Sequence, residues 1–311
     1  MGSIRFDGRV AIVTGAGAGL GRSHALGLAA RGAKVVVNDL GSARDGRGTS
    51  SDAALRVVEE IHAHGGSAIA DGANVADMVQ VEAMVARTLK QWGRVDILVN
   101  NAGILRDKTF AKMELGDFRA VLEVHLMGAV HCTKAVWETM RGQGYGRIVF
   151  TTSGSGLYGN FGQSNYAAAK MAVIGLMATL RQEGEKLNIR VNALAPTAAT
   201  RMTEGLLPPP VLALMKPEAI TPGLLYLVSE NAPSGVILAA GAGTFARATI
   251  EETAGVYIAE DERTPEAVAA AFEQISNRCG SKPLKGAFEQ TERLVGAAAA
   301  ALGLNLPGRN P

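Results

Sequence analysis

The sequence predicts an α/β protein built on a doubly wound parallel sheet of about seven strands with a C-terminal helical extension. Short apolar runs alternate with longer segments of helical period from Arg9 to about Ala240, the rhythm of βαβ units whose sheet is covered on both faces. Apolar residues make up 47% of the 311-residue chain and aromatics only 5%, so the core must come from Val, Ile, Leu and Ala, the residues of buried parallel strands. A glycine-rich turn, Thr14-Gly15-Ala16-Gly17-Ala18-Gly19-Leu20-Gly21, closes the first apolar run and opens the first helical segment.

Taken in order, the strands are expected at residues 10–14, 34–38, 67–71, 97–99, 147–152, 189–194 and 236–238, each a short apolar run too brief for a helix. The helices between them are expected at 20–31, 51–64, 76–91, 115–140, 164–187 and 219–229, where apolar residues recur at helical spacing. Residues 40–50 are too long and too rich in Gly and Ser for a tight βα turn and read as a surface loop. The tail begins a helix at Thr264-Pro265-Glu266, with Thr as N-cap and Pro at the first helical position, and carries an apolar stripe through Val268, Ala271, Phe272 and Ile275. A final Ala-rich helix is expected over 288–302. The division expected is 1–240 as the main domain with the active site and 241–311 as the helical extension, packed on that domain or on a partner subunit.

A net charge of +2, from 31 basic and 29 acidic side chains, gives no strong field for nucleic acid or anionic membranes. No apolar run approaches the about 18–20 residues that span a bilayer, so no membrane partner is expected. Cys132 and Cys279 stand far apart with no metal-ligand spacing, and no metal site is expected. The chain ends Gly308-Arg309-Asn310-Pro311, unlike a Ser-Lys-Leu address; the expected location is cytoplasmic.

The glycine turn points to a dinucleotide. Gly15 and Gly19 permit a tight turn and close backbone approach, and Gly21 lets the helix pack on its strand while its free N–H groups face a pyrophosphate. The second strand ends Asn38-Asp39 about 20 residues on, where a carboxylate accepts hydrogen bonds from the adenosine ribose. That carboxylate repels a 2′-phosphate, and neither Ala18 nor Leu40 offers a compensating cation, so NAD is expected over NADP. The fold is therefore Rossmann-type.

With Asn100-Asn101-Ala102-Gly103 and Tyr166-Ala167-Ala168-Ala169-Lys170 added to that turn, the chain resembles the short-chain dehydrogenase/reductase family. Within it, Asn38-Asp39-Leu40-Gly41, Asn101 to Asp107 and Tyr158 to Gln163 resemble the (3R)-hydroxyacyl-CoA dehydrogenase branch found in peroxisomal multifunctional enzymes of type 2. The resemblance implies that Leu20 also borders the cofactor and that Asn74 and Val75 flank its adenine. It further implies that Asn101, Ala102 and Gly103 line its ribose, and that Pro196, Ala198, Ala199 and Thr200 contact nicotinamide. It implies association through the helices at 115–140 and 164–187, as a homodimer or a tetramer.

Tyr166 and Lys170 lie four apart on one helix face, where an ammonium can lower the phenol toward working pH, so that Tyr166 takes an alcohol proton and Lys170 also binds the nicotinamide ribose. Ser153 stands 13 residues before Tyr166, at a strand end, as a donor to the substrate oxygen. His125 replaces the Asn usual in the family's long helix and reads equally as a proton-relay residue or a satisfied, semi-buried histidine; His24, His62, His64 and His131 read as ordinary helix residues. Residues 202–215 read equally as an apolar lid suited to an acyl or steroid body and as an ordinary packed loop and helix. The function expected is NAD-dependent oxidation of a (3R)-3-hydroxyacyl-CoA, with a hydroxysteroid or steroid side-chain CoA ester as the alternative substrate. A non-catalytic NAD-binding module is the remote alternative.

Overall fold

The computed structural model describes residues 2–198 and 208–305. Its contacts divide the chain into two compact units, Met1–Ala248 and Thr249–Pro311. In the first unit the elements run β1 (Val10–Thr14), α1 (Gly19–Ala29), β2 (Lys34–Asn38), α2 (Asp52–Ala63), β3 (Ser67–Asp71), α3 (Met78–Trp92) and β4 (Ile97–Asn100). There follow α4 (Leu115–Leu122), a π-helical turn (Glu123–Met127), α5 (Gly128–Gln143), β5 (Gly146–Thr151), α6 (Gly154–Tyr158), α7 (Ser164–Glu183) and β6 (Ile189–Thr197). The unit ends with α8 (Pro209–Leu214), α9 (Thr221–Leu227), β7 (Ile237–Gly241) and β8 (Thr244–Ala248).

The sheet order is β3-β2-β1-β4-β5-β6-β7-β8. Every pairing is parallel except the last, in which β8 folds back on β7 so that Gly241 faces Thr244. The expected sheet thus gains an eighth, antiparallel strand, which the sequence does not announce because it is short and four of its five residues are exposed. Alternate residues of β1 feed opposite layers: Ala11 and Val13 join Val35, Val37 and Leu224 on one face, and Ile12 joins Val36, Leu98 and Val136 on the other. Both faces are covered, which is why the strands read as continuous apolar runs rather than alternating ones. The strand order reverses between β1 and its neighbours β2 and β4, and in doubly wound sheets that switch point opens a crevice at the carboxyl ends of the strands.

One expected helix differs. The segment 115–140 is not continuous, because a π turn at Glu123–Met127 joins α4 to α5; such single turns of wider pitch re-aim a side chain, here His125.

At the opposite end of the sheet Arg147 is fully buried. It donates from Nε to Ser229 O at 2.9 Å, from Nη1 to Gly146 O at 2.8 Å and Asn188 O at 2.9 Å, and from Nη2 to Glu230 O at 2.8 Å. Its guanidinium stands 4.1 Å from the Tyr145 ring, and that of Arg9 stands 3.6 Å from the same ring.

In the second unit, β9 (Glu251–Glu252) pairs antiparallel with β10 (Lys282–Pro283), and the helices are α10 (Pro265–Ala270), α11 (Phe272–Ile275) and α12 (Ala287–Leu302). Thr264 caps α10 through its side chain, accepting from Ala267 N–H at 3.1 Å. Arg293 of α12 donates to the carbonyls of Glu252 and Thr253 at 3.2 and 3.1 Å, tying that helix to β9.

Candidate active site

The glycine turn after β1 is held in shape from across the switch point. Thr14 Oγ1 accepts the N–H groups of Asn101 and Ala102, both at 3.0 Å, and Asn101 Nδ2 donates to Thr14 O at 2.9 Å and Gly15 O at 3.0 Å. Gly15 takes φ +62°, and a Cβ there would stand 2.8 Å from Ala102 Cα; a Cβ on Gly21 would stand 2.2 Å from Gly15 O. No side chain caps the start of α1, so its first N–H groups remain available to an anion. The Asn101 amide, expected on a ribose, is thus committed to the turn itself.

Asp39, just past β2, accepts Gly17 N–H at Oδ2 and Gly41 N–H at Oδ1, each at 2.7 Å. Each carboxylate oxygen retains a lone pair for a ligand hydroxyl. The turn, Asp39, Asn74, Val75, Ala102 and Gly103 line one cleft of about 660 Å³, within the range of small-molecule and cofactor sites. Asn74 Oδ1 accepts Ala76 N–H at 3.0 Å, shaping the adjacent wall. Leu20, Pro196 and Ala198 line the same cleft. Ala199 and Thr200 lie outside the described residues, as do 202–207 of the lid candidate; of its remainder, Leu214 is exposed and Met215 buried.

Ser153, Tyr166 and Lys170 converge on that cleft. Ser153 follows β5 and caps α6, accepting Ser155 N–H at 3.2 Å. Tyr166 sits on the first turn of α7, where its N–H donates to Asn165 Oδ1 at 2.7 Å; Asn165 Nδ2 in turn donates to Arg106 O at 3.0 Å. Lys170, one turn on, is buried, and its Nζ donates to Thr151 O at 2.6 Å while standing 5.6 Å from the Tyr166 ring centroid. Only a glycine lets α6 approach α7 here, because a Cβ on Gly156 would stand 2.7 Å from Lys170 Cβ.

The electrostatics differ from the simple expectation. Burial pushes the Tyr166 phenol above its ordinary value, against a lowering by the Ser153 hydrogen bond. Burial also brings the Lys170 ammonium down to about 7. Loss of hydration is the largest cause at both groups, and it brings Lys170 to where an amine exchanges a proton near neutrality.

His125 projects from the π turn beneath the cleft and is buried. Its Nε2 lies 2.8 Å from Ile104 O and 3.0 Å from Ile104 N. Burial, and then the Lys170 charge, lower its pKa well below the usual value, so the ring is neutral. A Cβ on Gly103 would stand 2.2 Å from His125 Cε1. Behind the cleft, Asn100, His125, Thr151 and Lys170 border a space of about 10 Å³, close to the room one water occupies. Asn100 Oδ1, His125 Nδ1 and Thr151 Oγ1 are all buried with no hydrogen-bond partner, so the polar partners such a water needs are present.

His24 is wholly buried, with Nδ1 2.9 Å from Thr221 Oγ1, and His131 bonds Val75 O at 3.0 Å; both hold the scaffold. Burial raises the Cys132 thiol to about 12, leaving it inert. Thr14, Asn100, Thr151 and Gln163 also shape the site, though the sequence motifs assign none of them a role of its own. Gln163 lines the cleft, donates to Asp107 Oδ2 at 2.8 Å and accepts from Ser155 Oγ at 2.9 Å. The first three stand at strand ends, where a polar residue closing an apolar run was the available signal.

A sequence model of the family described as short chain dehydrogenase matches residues 9–208. The peroxisomal hydratase-dehydrogenase-epimerase of Saccharomyces cerevisiae is 47% identical over 279 residues, 89% of this chain and 31% of that protein. A putative short-chain type dehydrogenase/reductase of Mycobacterium tuberculosis is 47% identical over 275 residues, 88% of this chain and 96% of that protein. Among solved structures, full-length peroxisomal multifunctional enzyme type 2 from Drosophila melanogaster superposes with a TM-score of 0.80 at 38% identity, over 96% of this chain and 51% of that one. A 7α-hydroxysteroid dehydrogenase complexed with NADH and 7-oxo glycochenodeoxycholic acid gives 0.69 at 33% identity, over 77% of this chain and 95% of that one. The chain spans between 31% and 62% of the length of the multifunctional relatives it matches.

Proposed function

The chain belongs to the short-chain dehydrogenase family, an oxidoreductase acting on a hydroxyl group, and we propose that it oxidises a (3R)-3-hydroxyacyl-CoA to the 3-ketoacyl-CoA with NAD. The observation that carries this reading is the convergence of Ser153, Tyr166 and Lys170 on the cleft that also holds the glycine turn and Asp39. The substrate class is supported by the relatives named as hydratase-dehydrogenase-epimerase and multifunctional enzyme.

The residues fit a dinucleotide: the cradle at Gly15, Gly17 and Gly21 is one that any Cβ would fill, and the Asp39 carboxylate in the cleft lining supports NAD over NADP, because a 2′-phosphate bound beside it would meet like charge. NAD, when bound, supplies the hydride acceptor. Tyr166, a neutral phenol at working pH, takes the proton of the substrate hydroxyl as it gives its own toward the neutral form of Lys170, and Ser153 donates a hydrogen bond to the same oxygen as charge develops there. Lys170 passes the proton onward; with a value of about 7 it gains and loses a proton at little cost. The space bordered by His125, Asn100 and Thr151 has room for about one water beside Lys170, and on that ground we include His125 in the proposed relay.

We carry the dimer through the helical segments 115–140 and 164–187 in the same proposal, with a tetramer as the other outcome of sedimentation, and the cytoplasm as the compartment. Relatives named peroxisomal make the alternative compartment concrete, and imaging of the tagged full chain separates them. No helix among the described residues is long and apolar enough to cross a membrane.

NADH formation over a panel of (3R)- and (3S)-hydroxyacyl-CoAs and hydroxysteroids, with NAD or NADP, tests the reading. Selective turnover of (3R)-acyl-CoA with NAD is expected. Turnover of steroids alone, which the likeness to the 7α-hydroxysteroid dehydrogenase makes a specific rival, would keep the Tyr166 chemistry and remove the substrate. Tyr166→Phe should abolish turnover while retaining NADH binding.

A further inference from the structure

The loop between β2 and α2 is built as a strap across the cleft rather than as a free surface loop. Its base is closed by Gly41 N–H on Asp39 Oδ1 at 2.7 Å and Ser50 N–H on Leu40 O at 3.1 Å. Its tip is tied to the opposite wall: Leu105 N–H donates to Arg44 O at 3.0 Å, and Arg106 Nε donates to Asp45 O at 3.0 Å. Gly46, at φ +87°, packs so closely that a Cβ there would stand 3.1 Å from Ile104 Cγ2. The strap therefore runs from the Asp39 end of the cleft to residues 104–106, where the Ile104 backbone bonds His125.

Arg44 lines the cleft from this strap, and the charges around it single it out. Among the other lining cations, Arg106 is paired with Asp117 at 3.0 Å and the Lys170 ammonium is turned onto Thr151 O. Asp39 and Glu123 contribute negative charge to the same lining. Arg44 alone among the described lining cations has neither an ion pair nor a side-chain hydrogen bond. A planar fork of donors held over a cleft by its own backbone suits a ligand with paired phosphate oxygens.

We propose that this strap is a clamp for the pyrophosphate of the cofactor, with the Arg44 guanidinium as its charged contact. The proposal rests on the cleft being a dinucleotide site. The pyrophosphate is the part of such a ligand that carries charge, and Arg44 is the lining cation left without a partner to meet it. A guanidinium in the same cleft adds to the bare N–H groups of α1 a positive charge that the turn itself lacks.

Titration of NADH, ADP-ribose and adenosine against wild type, Arg44→Ala, Arg44→Lys and the control Arg47→Ala tests this without any substrate. Arg47 is exposed and pairs with Asp45 at the strap surface, outside the cleft lining. Arg44→Ala should weaken NADH and ADP-ribose about tenfold, the scale of one lost charge-assisted contact, and leave adenosine unchanged. Arg44→Lys should restore part of the loss, and Arg47→Ala should bind as wild type. NADH affinity within twofold of wild type in Arg44→Ala overturns the proposal, as does a loss confined to NADPH or to KM for the acyl-CoA. Failure of wild type to bind NADH would instead overturn the reading of the cleft.

Discussion

The His125 imidazole meets the Tyr166 phenol ring edge to face, with centroids 5.1 Å apart and ring planes at 89°. That ring is pinned on its other side by the Ile104 backbone through Nε2 and covered by Gly103 with no space for a side chain. The orientation of the tyrosine ring is thereby coupled to a histidine that titrates far below its ordinary range.

Gly103→Ala should therefore act at a distance of one residue layer. A methyl group aimed at His125 Cε1 must displace the imidazole, and overpacking of this kind costs about 1–3 kcal/mol. Turnover should fall at least tenfold with NADH affinity less affected. His125→Asn, which removes the ring but keeps a polar side chain over the small cavity, should retain more activity than His125→Ala. Steady-state kinetics beside NADH titration checks both; equal activity in His125→Ala and wild type would remove His125 from the relay.

Lys170 is held in the folded protein at about 7 against 10.5 when free, so folding disfavours its charged form. The penalty is complete below pH 7, shrinks as pH rises through the interval to 10.5, and vanishes above it. Lys170→Met should abolish turnover and yet raise thermal stability at pH 7, by on the order of a few kcal/mol. Melting curves of both proteins across pH 6–10 should converge at the alkaline end. A variant less stable than wild type at neutral pH would show that the Thr151 carbonyl bond outweighs the desolvation of the ammonium.

Most of the α/β rhythm was legible because parallel strands buried on both faces leave a plain signal. Val10–Thr14 and Lys34–Asn38 fall at the residues expected. The π turn was not legible, since a single turn of wider pitch preserves the apolar spacing on either side of it. Nor was the role of the loop after Asp39, whose Gly and Ser composition speaks of backbone freedom and not of the contacts Arg44 and Asp45 make through carbonyls. Tyr166, Lys170 and Ser153 were readable as a set, but their acid–base balance depends on burial, which no spacing encodes.

His24 offers a test in acid. Burial brings it to about 3 from 6.5, so the unfolded chain takes up a proton at pH values where the folded one refuses it. Stability from this group is present above 6.5 and is lost as pH falls toward 3, and His125 acts in the same direction. His24→Asn, which can keep the contact to Thr221, should flatten the fall in melting temperature between pH 6.5 and 4. An unchanged pH profile would mean that other groups govern acid unfolding.

Arg147 is a structural counterpart at the far end of the sheet. Its guanidinium bonds the carbonyls of Gly146, Asn188, Ser229 and Glu230, joining the start of β5 to the chain before β6 and the chain after α9. Burial lowers its pKa, though Tyr145 offsets part of the effect, so the charge is retained only because those carbonyls and the ring replace water. Arg147→Met fills the volume but takes a donor from four carbonyls, of which Asn188 O keeps the Gly146 N–H and Ser229 O the Ala232 N–H, each at 3.1 Å; the cost is about 1–3 kcal/mol for each one left wholly unpaired. Melting temperature should drop by roughly 5–15 °C for a unit of this size, while KM for NAD and substrate in the folded fraction stays near wild type, because the cleft lies at the opposite strand ends. A fall in turnover without a fall in melting temperature would mean instead that this end of the sheet communicates with Tyr166.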